Sequence, residues 1–204
     1  MEKSNRILNT ITEMFPEASC ELDYNNLYEL IVAVVLSAQT TDKRVNIVTK
    51  ELFSKYKTVY ELSNAKYEDV LNIIKSLGLA KTKTKNIIDL AKALVEKHNG
   101  EIPNTREKLE SLPGVGRKTC NVMLMEGFKI PSIAVDTHVS RVSQRLGLSK
   151  SDNVRIIEND LMKTYPEDKW YNVHHGFLFF GRYFCLAINP KCDKCPLIDL
   201  CLKK

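Results

Sequence analysis

The sequence has no long apolar run. Its longest mostly apolar stretch, Leu30 to Ala38, holds nine residues, against the roughly 20 that a bilayer-spanning helix needs. No membrane-spanning helix is expected. Low-complexity tracts and internal repeats are also missing, so neither a disordered tail nor a repeat array is expected. Turn dipeptides flanked by alternating apolar residues are absent, which speaks against β-hairpins. An excess of one charge is lacking too: thirty Lys and Arg face twenty-five Asp and Glu, for a net charge of +5. That bias is milder than a dedicated nucleic-acid module would carry and fits an ordinary soluble protein equally well. No secretory signal is expected at the N-terminus. At 204 residues and 44% hydrophobic content, the chain suits one large or two small domains.

Cysteine is scarce through most of the chain and crowded at one end. Four of the six fall at Cys185, Cys192, Cys195 and Cys201, spaced C-x6-C-x2-C-x5-C. Disulfides belong to oxidising compartments and, when dense, to short secreted chains, so the run is expected to bind metal. Structural zinc usually takes pairs of closely spaced ligands, and only Cys192 and Cys195 are that close. Iron–sulfur clusters also take four thiolates, with spacings that vary between families. Ligand chemistry alone leaves zinc and iron–sulfur both open.

What is present reads as helices. Leu27, Leu30, Ile31, Val34 and Val35 form an i, i+3, i+4, i+7, i+8 stripe, the period of a helix with one buried face. Thr41 or Asp42 can cap a second helix toward Tyr56. Further helices are expected over Tyr67–Ser76, Thr84–His98, Thr105–Ser111, Arg117–Gly127, Thr137–Leu146, Asn153–Tyr165 and Lys169–Ala187. Asn99-Gly100 supplies a helix stop and Pro103 keeps the next segment apart. The expected fold class is all-α.

One connection is unusual. Leu112-Pro-Gly-Val-Gly116 separates two helical segments. Glycine at 114 and 116 admits positive φ and close approach of another backbone. Amides exposed there, with the N-terminus of the following helix, suit an anion. Arg117 and Lys118 follow at once, and cations against the helix dipole cost a few tenths of a kcal/mol. Such a placement suggests a duty other than stability. Arg117 can answer a phosphate. Lys118 can do the same or act as a nucleophile; the positive helix end, Arg117 and partial burial would each favour its neutral amine. On the residues alone, phosphate contact comes first. Eighteen positions later, Asp136 precedes a helix. Its ordinary role is an N-cap, yet an ionised carboxylate near an amine can also move protons or stabilise a cationic sugar. His138, in the first turn, reads as structural or as a phosphate contact.

Taken together, Leu112-Pro-Gly-Val-Gly-Arg-Lys-Thr119, Val135-Asp-Thr-His138 and the cysteine tail resemble the endonuclease III family of helix-hairpin-helix DNA glycosylases. Leu36-Ser-Ala-Gln-Thr-Thr-Asp42, His174-His-Gly176 and Gly181-Arg-Tyr183 extend the resemblance over nearly the whole chain. It implies a [4Fe–4S] cluster on Cys185, Cys192, Cys195 and Cys201. It implies two helical domains flanking a cleft: a barrel over 22–131 containing the hairpin, and a cluster domain over 1–21 plus 132–204. It implies removal of oxidised pyrimidines from double-stranded DNA and strand cleavage at the abasic site by β-elimination. Lys118 would form the Schiff base and Asp136 would activate it or steady the sugar cation. Expected DNA contacts are Gln39 filling the vacated stack and Leu79 as a wedge, whose ordinary roles would be a helix-end polar residue and a core leucine, together with Leu112, Gly114, Val115, Gly116, Arg117, Thr119, His138 and Lys191. Lys194 is a further basic candidate. The Lys-rich stretch Gly78–Lys85 reads either as a phosphate contact or as a solvated helix start. Adenine-removing relatives usually lack the lysine and carry an extra C-terminal domain, which is not expected here. A monofunctional glycosylase and a non-enzymatic DNA-binding or redox-sensing protein remain the alternatives. A monomer is expected, in the cytoplasm with the nucleoid, with no membrane partner.

Overall fold

The computed structural model describes residues 2–202, and among these every regular element is helical. The chain divides into two compact units. One runs Glu21–Lys129, and the other joins the residues up to Cys20 to those from Ile130 onward.

The first unit is organised on helix α2 (Leu27–Leu36). The Asn26 side chain accepts the Glu29 amide and sets its start, the usual N-cap arrangement. Nine of its ten residues are buried, so its β-branched run has no solvent face to spare. Helices α3 (Asp42–Lys55), α4 (Val59–Ser63), α5 (Tyr67–Ile74), α6 (Ala80–His98), α7 (Arg106–Glu110) and α8 (Arg117–Val122) complete the unit, and a wider π turn, Met123–Gly127, extends α8. α3, α6, α8 and the π turn pack on α2, while α4 and α5 pack on α6. α4 was not expected, although its capping box was legible: Thr58 accepts the Glu61 amide and Glu61 returns to the Thr58 amide. α6 begins at Ala80 rather than Thr84.

The second unit gathers α1 (Glu2–Met14), α9 (Thr137–Arg145), α10 (Val154–Thr164) and α11 (Trp170–Phe179). α1 and α9 lie against α11. Ile7, Ile11, Val139, Val142, Leu161, Phe177 and Phe180 are almost fully buried together. A side chain such as Phe177 contributes about 1.5–3 kcal/mol of burial energy. The last long helix stops at Phe179, passes through a π turn over Phe180–Phe184 and ends at Cys185, not at Ala187. Among the described residues only short 3₁₀ turns follow, Cys192–Lys194 and Ile198–Leu200.

Candidate active site and metal centre

In the first unit, α7 and α8 form a hairpin about Leu112–Gly116. Leu112 and Val115 are buried, and the Val115 amide donates to the Leu112 carbonyl at 3.1 Å. Their side chains therefore anchor the turn, and only their backbone can serve a ligand. The two glycines differ. Gly114 has φ +76, and a Cβ there would sit 3.0 Å from Asn86 Cβ and 3.2 Å from Val35 Cγ1. Gly116 has φ −91 and ψ −179, an extended geometry open to any residue. Nothing lies within 4 Å of where its Cβ would be. The expectation of positive φ thus holds at 114 and fails at 116, where glycine leaves open room beside the α8 amides. The N-cap residue, Gly116, has no side chain to bond those amides.

Arg117 and Thr119 are half-buried and Lys118 is exposed. Partial burial of Lys118, expected from the sequence, is not provided by its own unit.

Two further segments of this unit meet. Leu79, offered by the sequence as a wedge or a core leucine, is 56% exposed, which disposes of the core role. Gln39 is exposed as well. A Cβ on Gly78 would lie 3.7 Å from the Gln39 carbonyl, so the two candidate DNA contacts stand on adjacent turns.

In the second unit, Asp136 caps α9. One oxygen, Oδ1, accepts both the His138 and Val139 amides at 2.8 Å. Among the described residues, Oδ2 makes no hydrogen bond. The segment before it is clamped. Buried His174 donates its Nδ1 proton to the Ala134 carbonyl at 2.8 Å, and the His174 and His175 rings pack edge to face. Because a guanidinium can only donate, the 3.2 Å contact from Arg141 makes His138 Nδ1 an acceptor. His138 is therefore held by its own helix.

The four cysteines of the tail line one pocket with Arg145, Leu146, Phe180 and Phe184. Burial pushes the Cys195 thiol up; a backbone hydrogen bond with Leu197 opposes this, and the other three thiols push it further up. Four sulfurs that repel one another as thiolates suit a cationic core. A single tetrahedral zinc at about 2.3 Å from each sulfur would draw them closely together. Among the described residues, no three His, Cys, Asp or Glu side chains are grouped to hold one ion. Four cysteine side chains around one pocket are a donor set that an iron–sulfur cluster takes. Lys191 lies 5.9 Å over the Phe184 ring, anchored beside the pocket.

The sequence reading missed two arginines. Arg145 donates to Cys185 Sγ at 3.2 Å and to the Leu186 carbonyl at 2.7 Å. Arg141 donates to the carbonyls of Gly181 at 2.7 Å and Cys185 at 3.1 Å. Burial and then the neighbouring Arg145 both disfavour the charged form of Arg141. Two like charges four residues apart on one helix are destabilising unless each finds acceptors, and that spacing was the available signal.

Comparison with known proteins agrees with this layout. Residues 32–167 match the model of the HhH-GPD superfamily of base excision DNA repair proteins, and residues 185–201 match the iron-sulfur binding domain of endonuclease III. Endonuclease III of Bacillus subtilis (strain 168) is 50% identical over 195 residues, 95% of this chain and 89% of that protein. The Escherichia coli (strain K12) protein is 42% identical over 203 residues, 98% and 96%. A solved structure of a trapped endonuclease III–DNA covalent intermediate superposes with a TM-score of 0.95 at 48% identity, covering 98% of this chain and 95% of that one.

Proposed function

The chain belongs to the endonuclease III family within the HhH-GPD superfamily, and on that premise we propose that Lys118 is its nucleophile and Asp136 its acid–base partner. The protein is a bifunctional DNA glycosylase and abasic-site lyase of base excision repair, and it carries an iron–sulfur cluster. Our reading takes oxidised pyrimidines in duplex DNA as the substrate and a cytoplasmic monomer as the working form. No described helix is long and apolar enough to cross a membrane.

A base stacked in a duplex must leave the stack before its sugar can be attacked. The Lys118 amine then bonds to C1′ as the glycosidic C–N bond breaks, and the base departs with a proton. Ring opening gives a Schiff base. Loss of a C2′ proton drives β-elimination, which breaks the C3′–O bond, and water releases the enzyme. Asp136 keeps Oδ1 on the α9 amides and offers Oδ2 to the proton or to the developing sugar cation. Hairpin amides from Gly114 to Gly116, with Arg117 and Thr119, hold phosphate without reading sequence. In this reading Gln39, Leu79, His138 and Lys191 also face DNA. Cys185, Cys192, Cys195 and Cys201 would hold a [4Fe–4S] core, which cross-links the tail.

The observation that carries the assignment is an exposed amine on the first turn of α8, next to a glycine that leaves open space. Borohydride trapping tests it. The parental protein gives a covalent adduct with abasic DNA, and Lys118→Gln abolishes both adduct and strand cleavage. Cleavage by that variant at the parental rate removes Lys118 from the reaction.

A further inference from the structure

The Lys-rich stretch is not simply a solvated helix start. Lys81 and Lys85 are exposed, but Lys83 between them is only 3% exposed. Among the described residues its Nζ has one acceptor, Thr40 Oγ1, at 2.7 Å. Burial lowers the Lys83 pKa, as expected for an ammonium taken out of water and given a single neutral partner. For stability alone, an apolar side chain of the same length serves at least as well. The backbone amide of the same residue donates to the Leu79 carbonyl at 3.0 Å, the first i→i−4 bond of α6, so it is the side chain that adds a second tie.

Lys83 thus bonds to two adjacent turns at once. Each turn contains a non-glycine residue in the left-handed region, Gln39 at φ 54 and Leu79 at φ 59. Each such residue costs about 1–2 kcal/mol unless its surroundings hold it. An ion–hydroxyl hydrogen bond is roughly twice as strong as a neutral one, and a clamp of this kind removes the entropy that loose loops would lose on meeting DNA.

We infer that Lys83 is a positioning residue for base extrusion: its amide holds the Leu79 turn and its ammonium holds the Thr40 turn, so that Gln39 and Leu79 stand together in the conformation that enters the base stack. The inference rests on the reading of Gln39 and Leu79 as stack-entering residues. It gives Lys83 no contact with the reacting atoms, unlike Lys118.

The test uses the full-length, cluster-loaded protein and a duplex with 2-aminopurine beside one oxidised pyrimidine, whose fluorescence reports unstacking. Lys83→Met keeps the stem and removes the charge, and Thr40→Val removes the acceptor at constant shape. Each variant slows the fluorescence rise and lowers kcat/KM on duplex by about tenfold, the order expected for one charge-assisted hydrogen bond. The double variant is no worse than either single one. Borohydride trapping on a single-stranded abasic oligonucleotide, which has no stack to open, stays at the parental level. If Lys83→Met loses stability, Thr40→Val decides alone.

Parental duplex rates in both variants, alongside slowed Gln39→Ala and Leu79→Ala controls, overturn the role of Lys83 and leave the two turns in place. Equal losses on duplex and single-stranded DNA reduce Lys83 to a folding residue and also overturn it. An unchanged fluorescence rise in Gln39→Ala and Leu79→Ala shows instead that the reading of the turns fails, and the inference falls with it.

Discussion

One oxygen of Asp136 closes α9 while the other makes no hydrogen bond among the described residues, so an isosteric change can separate the two roles. In Asp136→Asn, the amide oxygen can take the place of Oδ1 against the His138 and Val139 amides. The NH2 group then occupies the Oδ2 position and can accept no proton. Single-turnover excision is expected to fall by about 10²–10⁴-fold, the range for loss of a general acid–base group. DNA affinity and the thermal midpoint should move little. A variant that binds poorly but turns over normally would make Asp136 a cap and nothing more. Lys118 and Asp136 stood out in the sequence as candidates because the first sits where its charge does least for helix stability and the second is placed to double as a cap. Exposure was not legible. Whether Lys118 is enclosed, or whether Leu79 is core or wedge, depends on neighbours far away in the chain.

The same limit appears in the hairpin, where two glycines two residues apart obey different constraints. Gly114 is required by the fold: φ +76 strains any L side chain, and a Cβ would press on Asn86 from α6 and Val35 from α2. Gly114→Ala should cost about 1–2 kcal/mol from the left-handed backbone alone, read as a lower denaturation midpoint. Gly116 is not required by the fold, since its backbone is extended and its surroundings are open. Gly116→Ala should leave the midpoint unchanged while weakening DNA binding and flattening its dependence on salt, because a methyl would stand where phosphate approaches the α8 amides. Unaltered binding in Gly116→Ala would take the hairpin out of the interface. The L-P-G-V-G pattern announced a turn between helices. It could not rank its glycines, because Asn86 and Val35 do that ranking from other elements. The five-residue α4 shows the opposite case. Its capping box was written in Thr58 and Glu61, but its short apolar pattern gave no period to find.

Across the whole molecule, the cysteine tail differs from the rest in what holds it. The helices of its unit share an apolar core, whereas residues 186–202 contribute Leu197 as their one fully enclosed side chain. The tail is instead tied by polar links: Arg145 to Cys185 Sγ and to the Leu186 and Ala187 carbonyls, and Arg6 to Asp199 at 2.6 and 3.0 Å. The Arg6–Asp199 pair is half exposed on both sides, so solvent screens most of its attraction. On the proposed ligation by four cysteines, the iron–sulfur cluster of residues 185–201 is then the main constraint on this segment, as metal is in small metal-ordered domains. The cysteine spacing foretold a metal centre, but the arginines that support it come from a helix forty residues upstream, and no local pattern links the two. Removing iron with oxidant and chelator should leave the helical circular dichroism largely intact while opening the tail to proteolysis, with cuts confined to the stretch after Cys185. Arg145→Gln should speed loss of the cluster's visible absorbance under the same treatment, because it removes the hydrogen bond to Cys185 Sγ and weakens the hold on two carbonyls. Arg6→Ala, acting through an exposed pair, should change that rate far less. Loss of cluster and helix together on chelation would mean that the metal holds the α1–α9–α11 core as well. Equal cluster lifetimes in Arg145→Gln and the parent would mean that the four sulfur ligands suffice without the arginine.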